Sequence, residues 1–167
     1  MSSPYPYDQD YLNKHLNNWN IIRLFDDIPS TNTYLKDNAL LLADRSIILA
    51  NQQSAGRGRY QRNFLSAKDK GIYCSFIIKN DTHCSLTQIS FATAIALASS
   101  IYHLYKIRVQ VKWPNDLVYA NQKLAGILIE TTSQEKALDI VIGFGLNVYS
   151  QDFGELSAIA LEDIQSH

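Results

Sequence analysis

The chain has 167 residues, 46% of them hydrophobic, which is enough for one domain with a proper core and short for two. Fifteen Lys and Arg against sixteen Asp and Glu leave a formal charge of -1, so no overall positive field draws it to nucleic acid or anionic lipid, and any anion must be gripped locally. Two cysteines, Cys74 and Cys84, with no C-x-x-C pair, exclude a disulfide scaffold and point to reduced thiols in a cytoplasm; the start, MSSPYPYDQDYLNKHL, lacks the basic segment and apolar run of a signal peptide.

After a polar N-terminal stretch with room for a short helix, Ile21 to Phe25 reads as a strand that Asp26 to Pro29 break. Ser30 or Thr31 suits a helix N-cap, and the spacing predicts a helix to about Ala43. Ser46 to Gln52 is β-rich. Between Ser54 and Phe64 the run SAGRGRYQRNF has neither helical nor strand period and reads as a loop. Gly71 to Ile78 alternates Ile72, Cys74, Phe76 and Ile78 against smaller or polar groups, the pattern of a half-buried strand. The stretch Ile89 to Tyr105 carries no Asp, Glu, Lys or Arg, but serines, Thr93 and His103 interrupt it, so the Leu86 to Tyr105 helix is expected in the core and not in a membrane. VQVKW, DLVYA, KLAGILIETT and DIVIGFG follow as short strands, joined by turns at Pro114-Asn115 and Ala120-Asn121-Gln122, too close together for right-handed parallel crossovers. The expected class is α+β, with a mixed, largely antiparallel sheet and helices on one face. No repeat, low-complexity tract or linker divides the chain.

Three segments have the composition of a site. In Gly56-Arg57-Gly58-Arg59, with Arg62 three residues on, glycines let backbone amides approach an anion and guanidiniums pair with its oxygens; the alternative is a solvated basic loop. KWPND, Lys112 to Asp116, groups a cation, Trp113, the rigid Pro114, the Asn115 amide and a carboxylate, a set suited to a magnesium nucleotide, or else an ordinary hairpin turn. Lys123 lies seven positions after Asp116, so a tight hairpin returns it to the same end of the sheet, unless it is a protective edge lysine. Gly126, in mid-strand, suggests close approach by a ligand or backbone. GFGLN, Gly143 to Asn147, lacks the third glycine and following helix of a dinucleotide fingerprint, no P-loop is present, and His15, His83, His103 and His167 have no metal-ligand spacing.

Taken in order, Ser30-Thr31-Asn32, Gln53 with GRGR and Arg62, KWPND, KLAGILIE and GFGLN resemble the biotin protein ligase pattern over about Ile21 to Tyr149. The resemblance implies the class II aminoacyl-tRNA synthetase core fold. It also implies formation of biotinyl-adenylate from biotin and ATP with Mg²⁺, then transfer to a lysine of a biotin carboxyl carrier protein, that of acetyl-CoA carboxylase or a related biotin enzyme. By that resemblance Ser30, Thr31, Asn32 and Gln53 line the biotin head-group pocket, and the loop with Gly56, Arg57, Gly58 and Arg59 folds over biotin and phosphate. Arg62, Phe64, Trp113, Asn115 and Asn147 lie with Arg59 at the nucleotide. Lys123, beside Gly126, meets the biotin carboxylate and α-phosphate, Arg57 and Lys112 assist, and Asp116 binds the metal. Many relatives have tryptophan where Phe64 stands, which keeps an aromatic wall of smaller area.

The expected organisation is an N-terminal extension over 1–20 and a catalytic domain over 21–167, without the family's usual further C-terminal helices and small β-barrel. The N-terminal region is too short for a winged helix-turn-helix, so repressor activity is not expected; the charge balance argues against a nucleic-acid partner and the interrupted Leu86 to Tyr105 helix against a membrane, while an exposed sheet edge would permit a homodimer. Rival readings are a lipoate or octanoate ligase on the same fold and a non-catalytic module that retains biotin or adenylate.

Overall fold

The computed structural model describes residues 9–16, 18–79, 85–134 and 137–165. His83, Cys84, His167 and most of the polar N-terminal stretch lie outside the described residues. The elements are α1 (Gln9–His15), β1 (Ile21–Ile28), α2 (Thr31–Asp37), β2 (Ser46–Gln53), β3 (Gly71–Ile78), α3 (Leu86–Tyr105), β4 (Gln110–Lys112), β5 (Asp116–Tyr119), β6 (Gln122–Gln134), β7 (Ala137–Asn147) and α4 (Leu161–Gln165). The strands form one sheet in the order β1-β2-β3-β7-β6-β5-β4. Only β1 and β2, joined through α2, run parallel; every other neighbouring pair is antiparallel, as expected from the short connections after Val109.

The pleat divides the sheet into two faces with different uses. Ile72, Phe144, Leu146, Ala125 and Ile127 point to the face covered by α3 and α4, where Ala94, Ile101, Leu161 and Ile164 complete the largest core cluster. On the same face Leu12, Leu16 and Trp19 cover Ile47, Leu49 and Cys74. The short helix α2 is the exception to the expected one-sided arrangement, since its Leu35 packs with Ile48, Ile77 and Val141 on the opposite face. That face is therefore covered at one end and open at the other, and the opening holds the site. Because β3 is enclosed on both sides, Tyr73 and Ile77 are fully buried, and the strand is not the half-buried one its alternation suggested.

Two boundaries differ from those read in the sequence. β1 runs on through Asp26 and Asp27, because parallel pairing of Asp27 with Gln52 holds the backbone while Asn51 and Lys68 donate to the Asp26 carboxylate at 3.2 and 3.0 Å. α2 stops at Asp37 instead of near Ala43: the Asn38 amide donates to the Tyr34 carbonyl at 2.9 Å, and Leu40 and Leu41, which prolong the apolar period, are 78% and 84% exposed. α3 has the expected bounds and opens with a capping box between Ser85 and Gln88. Among the described residues no helix is long and apolar enough to cross a membrane.

The β5–β6 hairpin closes through Ala120 and Asn121, both at positive φ (47° and 65°), a two-residue turn that asparagine or glycine suits better than alanine. Ala120 is exposed and its side chain supports nothing. Ala120→Asn is expected to stabilise the fold by about 0.5–1 kcal/mol, read as a rise in Tm of roughly 2 °C. An unchanged or lower Tm would show that the turn carries no such strain.

Candidate active site

The first turn of α2 brings three polar side chains onto the sheet. Ser30 is the N-cap, its hydroxyl accepting from the Thr33 amide, and Ser30, Thr31 and Asn32 are each only 3% exposed. Buried polar groups need partners, and here they find one another. The Thr31 amide donates to Gln53 Oε1 at 2.9 Å, the Thr31 hydroxyl has that oxygen at 3.1 Å and Ser75 Oγ at 2.7 Å within its reach, and Ser75 donates to Asn32 Oδ1 at 2.6 Å. Asn32 Nδ2 reaches Glu130 at 3.1 Å. Gly143 on β7 makes room for this arrangement, since a Cβ there would lie 2.0 Å from Asn32 Oδ1.

The glycine-arginine loop folds back on itself as a narrow hairpin. Arg57 bridges to Asn63, Gly58 N–H donates to the Arg62 carbonyl at 2.7 Å, and Phe64 N–H donates to the Gly56 carbonyl at 2.9 Å. A Cβ on Gly56 would stand 2.4 Å from the Phe64 carbonyl, so this glycine serves the chain crossing and, unlike the other expected site residues, does not line the cavity. The loop tip, Tyr60, is 81% exposed with φ 54°. Phe64 turns inward over Gly145, where a Cβ would come within 2.4 Å of its ring.

Lys112 and Asp116 pair across the β4–β5 turn, and the Trp113–Pro114 peptide within it is cis. KWPND is thus a hairpin turn and a cavity wall at once. The Asn115 amide nitrogen donates to the Ile127 carbonyl at 2.9 Å and so is engaged by the backbone of β6. A β-bulge at Leu117/Val118 shifts the register, with Val118 facing Lys123 and Leu117 facing Ala125. Residues 123 and 126 would point to opposite faces of a regular strand; the bulge re-aims Lys123 to the face of Gly126, where a Cβ would lie 3.1 Å from its Cε and Nζ. Lys123 Nζ then stands 2.8 Å from Asp116 Oδ1 and 5.8 Å from the Phe64 ring centre. β6 lies between β5 and β7, so Lys123 is no edge lysine. Asn147 acts as a clip, its amide donating to the carbonyls of Lys123 at 3.4 Å and Ile159 at 3.1 Å.

These parts enclose one cavity of about 710 Å³. Thr31, Asn32, Gln53 and Ser75 form a polar cluster in its wall, which Arg59, Arg62, Lys112 and Lys123 also line; Arg57 lines it too, with its guanidinium 3.3 Å from Glu130 Oε1 and 3.4 Å from Thr33 Oγ1, on the side of the polar cluster. Among the described residues that line the cavity, five cations stand against one carboxylate, Asp116, so a chain of net charge -1 concentrates positive charge here. Among the described residues no group of three or more His, Cys, Asp or Glu could hold a metal by itself. One carboxylate fits a Mg²⁺ that arrives with phosphate oxygens and water, and does not fit an all-protein cage.

Sequence reasoning passed over Ser75, Glu130, Gly143 and Gly145, and over Phe153, Leu156, Ser157 and Ala158, which line the cavity without any motif. The period-two pattern of β3 and β6 does place Ser75 and Glu130 opposite the apolar face, which was the available signal. Cys74 packs in the core; burial pushes its thiol up to about 12, which makes it no nucleophile at neutral pH.

A model of the biotin/lipoate A/B protein ligase family matches residues 24–147. The chain is 37% identical over 123 residues to the bifunctional ligase/repressor BirA of Escherichia coli K12, which covers 72% of this chain and 38% of that protein. It is 30% identical over 122 residues to the biotin--[acetyl-CoA-carboxylase] ligase of Paracoccus denitrificans, covering 71% and 51%. The chain spans between about two fifths and half the length of these relatives. In three dimensions it resembles the biotin protein ligase from Aquifex aeolicus solved with biotin and ATP, with a TM-score of 0.79 at 24% identity over 89% of this chain and 62% of that one.

Proposed function

The chain belongs to the biotin/lipoate A/B protein ligase family, and on that premise we propose that it adenylates biotin with ATP and passes the biotinyl group to a lysine of a biotin carboxyl carrier protein. The observation that carries this reading is the cavity whose wall combines a hydrogen-bonding cluster with a set of cations, a pairing that suits a ligand with a polar ring and a carboxylate that must meet a phosphate. A biotin oxygen attacks the α-phosphorus of ATP and pyrophosphate leaves; the carrier amine, arriving neutral, then attacks the acyl carbon of the mixed anhydride, AMP leaves, and the amine proton goes to solvent.

Two anions must approach in the first step, so positioned cations do much of the work. Lys123 is placed for the carboxylate and α-phosphate, Arg57, Arg59 and Arg62 for the phosphate side under the loop, and Lys112 for the departing pyrophosphate. Trp113, 64% exposed, and Phe64 supply aromatic surface for the nucleotide. Asp116 would hold Mg²⁺, whose charge offsets that of the triphosphate. The loop hairpin shields the anhydride from water.

The rival lipoyl or octanoyl group offers no N–H or carbonyl to the Thr31–Asn32–Gln53–Ser75 end, and a site built for hydrogen bonds rejects a group that cannot make them. The test is calorimetric titration with biotin and with lipoate, then assay of pyrophosphate and biotinyl-adenylate with Mg-ATP, and last transfer to a carrier domain. Biotin binding with adenylate release supports the proposal; lipoate binding in its place, or no turnover, defeats it.

A further inference from the structure

Glu130, at the end of K-x-x-G-I-L-x-E, is a carboxylate hydrogen-bonded directly to the head-group end through Asn32. Its Oε1 receives Lys36 Nζ at 2.8 Å and Arg57 Nη2 at 3.3 Å, and its Oε2 receives Asn32 Nδ2 at 3.1 Å. Burial works to raise its carboxyl, but the hydrogen bonds from Lys36 and Asn32 and the charges of Lys36 and Arg57 prevail and hold it below the usual range, so it is an acceptor at neutral pH.

An ionised carboxylate accepts only, which obliges Asn32 to turn its NH₂ toward Glu130 and its oxygen toward Ser75. Ser75 spends its one proton on that oxygen at 2.6 Å. The Thr31 hydroxyl is then left with acceptors at both distances, Ser75 Oγ at 2.7 Å and Gln53 Oε1 at 3.1 Å. Whichever it chooses, its proton stays within the wall, and the Thr31 oxygen, which lines the cavity, keeps its lone pairs to accept with. Gln53 is fixed in the same sense from the other side, because its Nε2 donates to Ser66 at 2.9 Å, and Ser66 donates to the Phe64 carbonyl at 3.1 Å.

We propose that Glu130 is a positioning residue that sets the donor–acceptor polarity of the head-group end, acting through Asn32 and Ser75 so that the Thr31 oxygen presents lone pairs to a ring bearing N–H donors. This rests on the biotin reading, since the ring in question is the cyclic urea. A glutamine at 130 can offer Asn32 either an oxygen or an NH₂, which leaves the longer bond from Asn32 Nδ2 to the Leu128 carbonyl, 3.4 Å, to hold the present sense; the chain from Asn32 to Thr31 then gains a second direction, and only one suits the urea.

The experiment titrates wild type, Glu130→Gln and Lys36→Met with biotin and with biotinol, whose neutral hydroxyl makes no ion pair with arginine, and records Tm for each. Glu130→Gln is expected to weaken both ligands about tenfold or more. Lys36→Met, which removes an ion-pair partner outside the cavity wall but leaves Arg57 and Asn32 on a carboxylate that still only accepts, should stay within about twofold of wild type. Loss of biotin affinity alone, with biotinol unaffected, would reduce Glu130 to an anchor for Arg57 and overturn the proposal. So would equal losses in Glu130→Gln and Lys36→Met, or wild-type affinity in Glu130→Gln. A folded wild type that binds neither ligand would instead overturn the biotin reading, and this inference with it.

Discussion

Lys123→Ala is expected to lower biotinyl-adenylate formation by about 10³-fold, at the upper end of what loss of one preorganised charge in an active site costs. Lys123 alone among the five cations is positioned by a bulge, an ion pair to Asp116 and an aromatic ring together. It therefore needs little reorganisation when charge develops at the α-phosphate. Its side chain is 38% exposed, so the ion pair contributes little to stability and the variant should unfold within a few degrees of wild type. Lys123→Arg should not restore the rate, because a guanidinium is broader and spreads over a planar fork the charge that the ammonium holds at one point. Single-turnover release of pyrophosphate decides the matter: a folded Lys123→Ala enzyme within tenfold of wild type would remove this lysine from the centre of the mechanism.

Gly143→Ala is expected to abolish measurable biotin binding and to destabilise the fold by about 3 kcal/mol, a Tm lower by roughly 8 °C. The added Cβ would lie 2.0 Å from Asn32 Oδ1 and 2.9 Å from Ser75 Oγ, and neither can retreat, because Asn32 is tied to Glu130 and Ser75 to Asn32. Displacing Asn32 breaks the polar chain in its middle and leaves buried donors unpaired. Gly145→Ala offers the contrast. Its Cβ meets the Phe64 ring, the free end of a half-buried side chain that can swing toward solvent, so the cost in stability should be smaller and fall on the nucleotide side. Differential scanning calorimetry with biotin titration separates the two, and Gly143→Ala with normal affinity would show that the polar chain does not need its present geometry.

The sequence made the sheet legible because each strand carries its period and each connection after Val109 is too short to cross over. It made most of the site legible because arginine, lysine, glycine and proline announce themselves in short motifs. It concealed what depends on long-range placement. Glu130 looks like any polar residue in a strand until Asn32 and Lys36, 98 and 94 residues earlier, are folded against it. The two glycines of GFG failed as a phosphate loop and gave no hint that they clear a sheet face for Asn32 and Phe64. The Leu40-Leu41-Leu42 run read as helix, although a helix end is decided by Asn38 and by what there is to pack against, and the first two leucines have nothing.

Lys123 N–H donates to the Ser157 carbonyl at 2.9 Å and Ile159 N–H returns to the Lys123 carbonyl at 3.0 Å, so a short parallel splint lies along the lysine's own backbone. The splint comes from beyond residue 147, where the family match ends. The backbone of Lys123 is thus held in part by residues outside the shared motifs. A fragment ending at Asn147 would retain every residue of the recognisable pattern, yet it would lose both of these backbone hydrogen bonds, so the lysine would be correctly spelled but less firmly aimed.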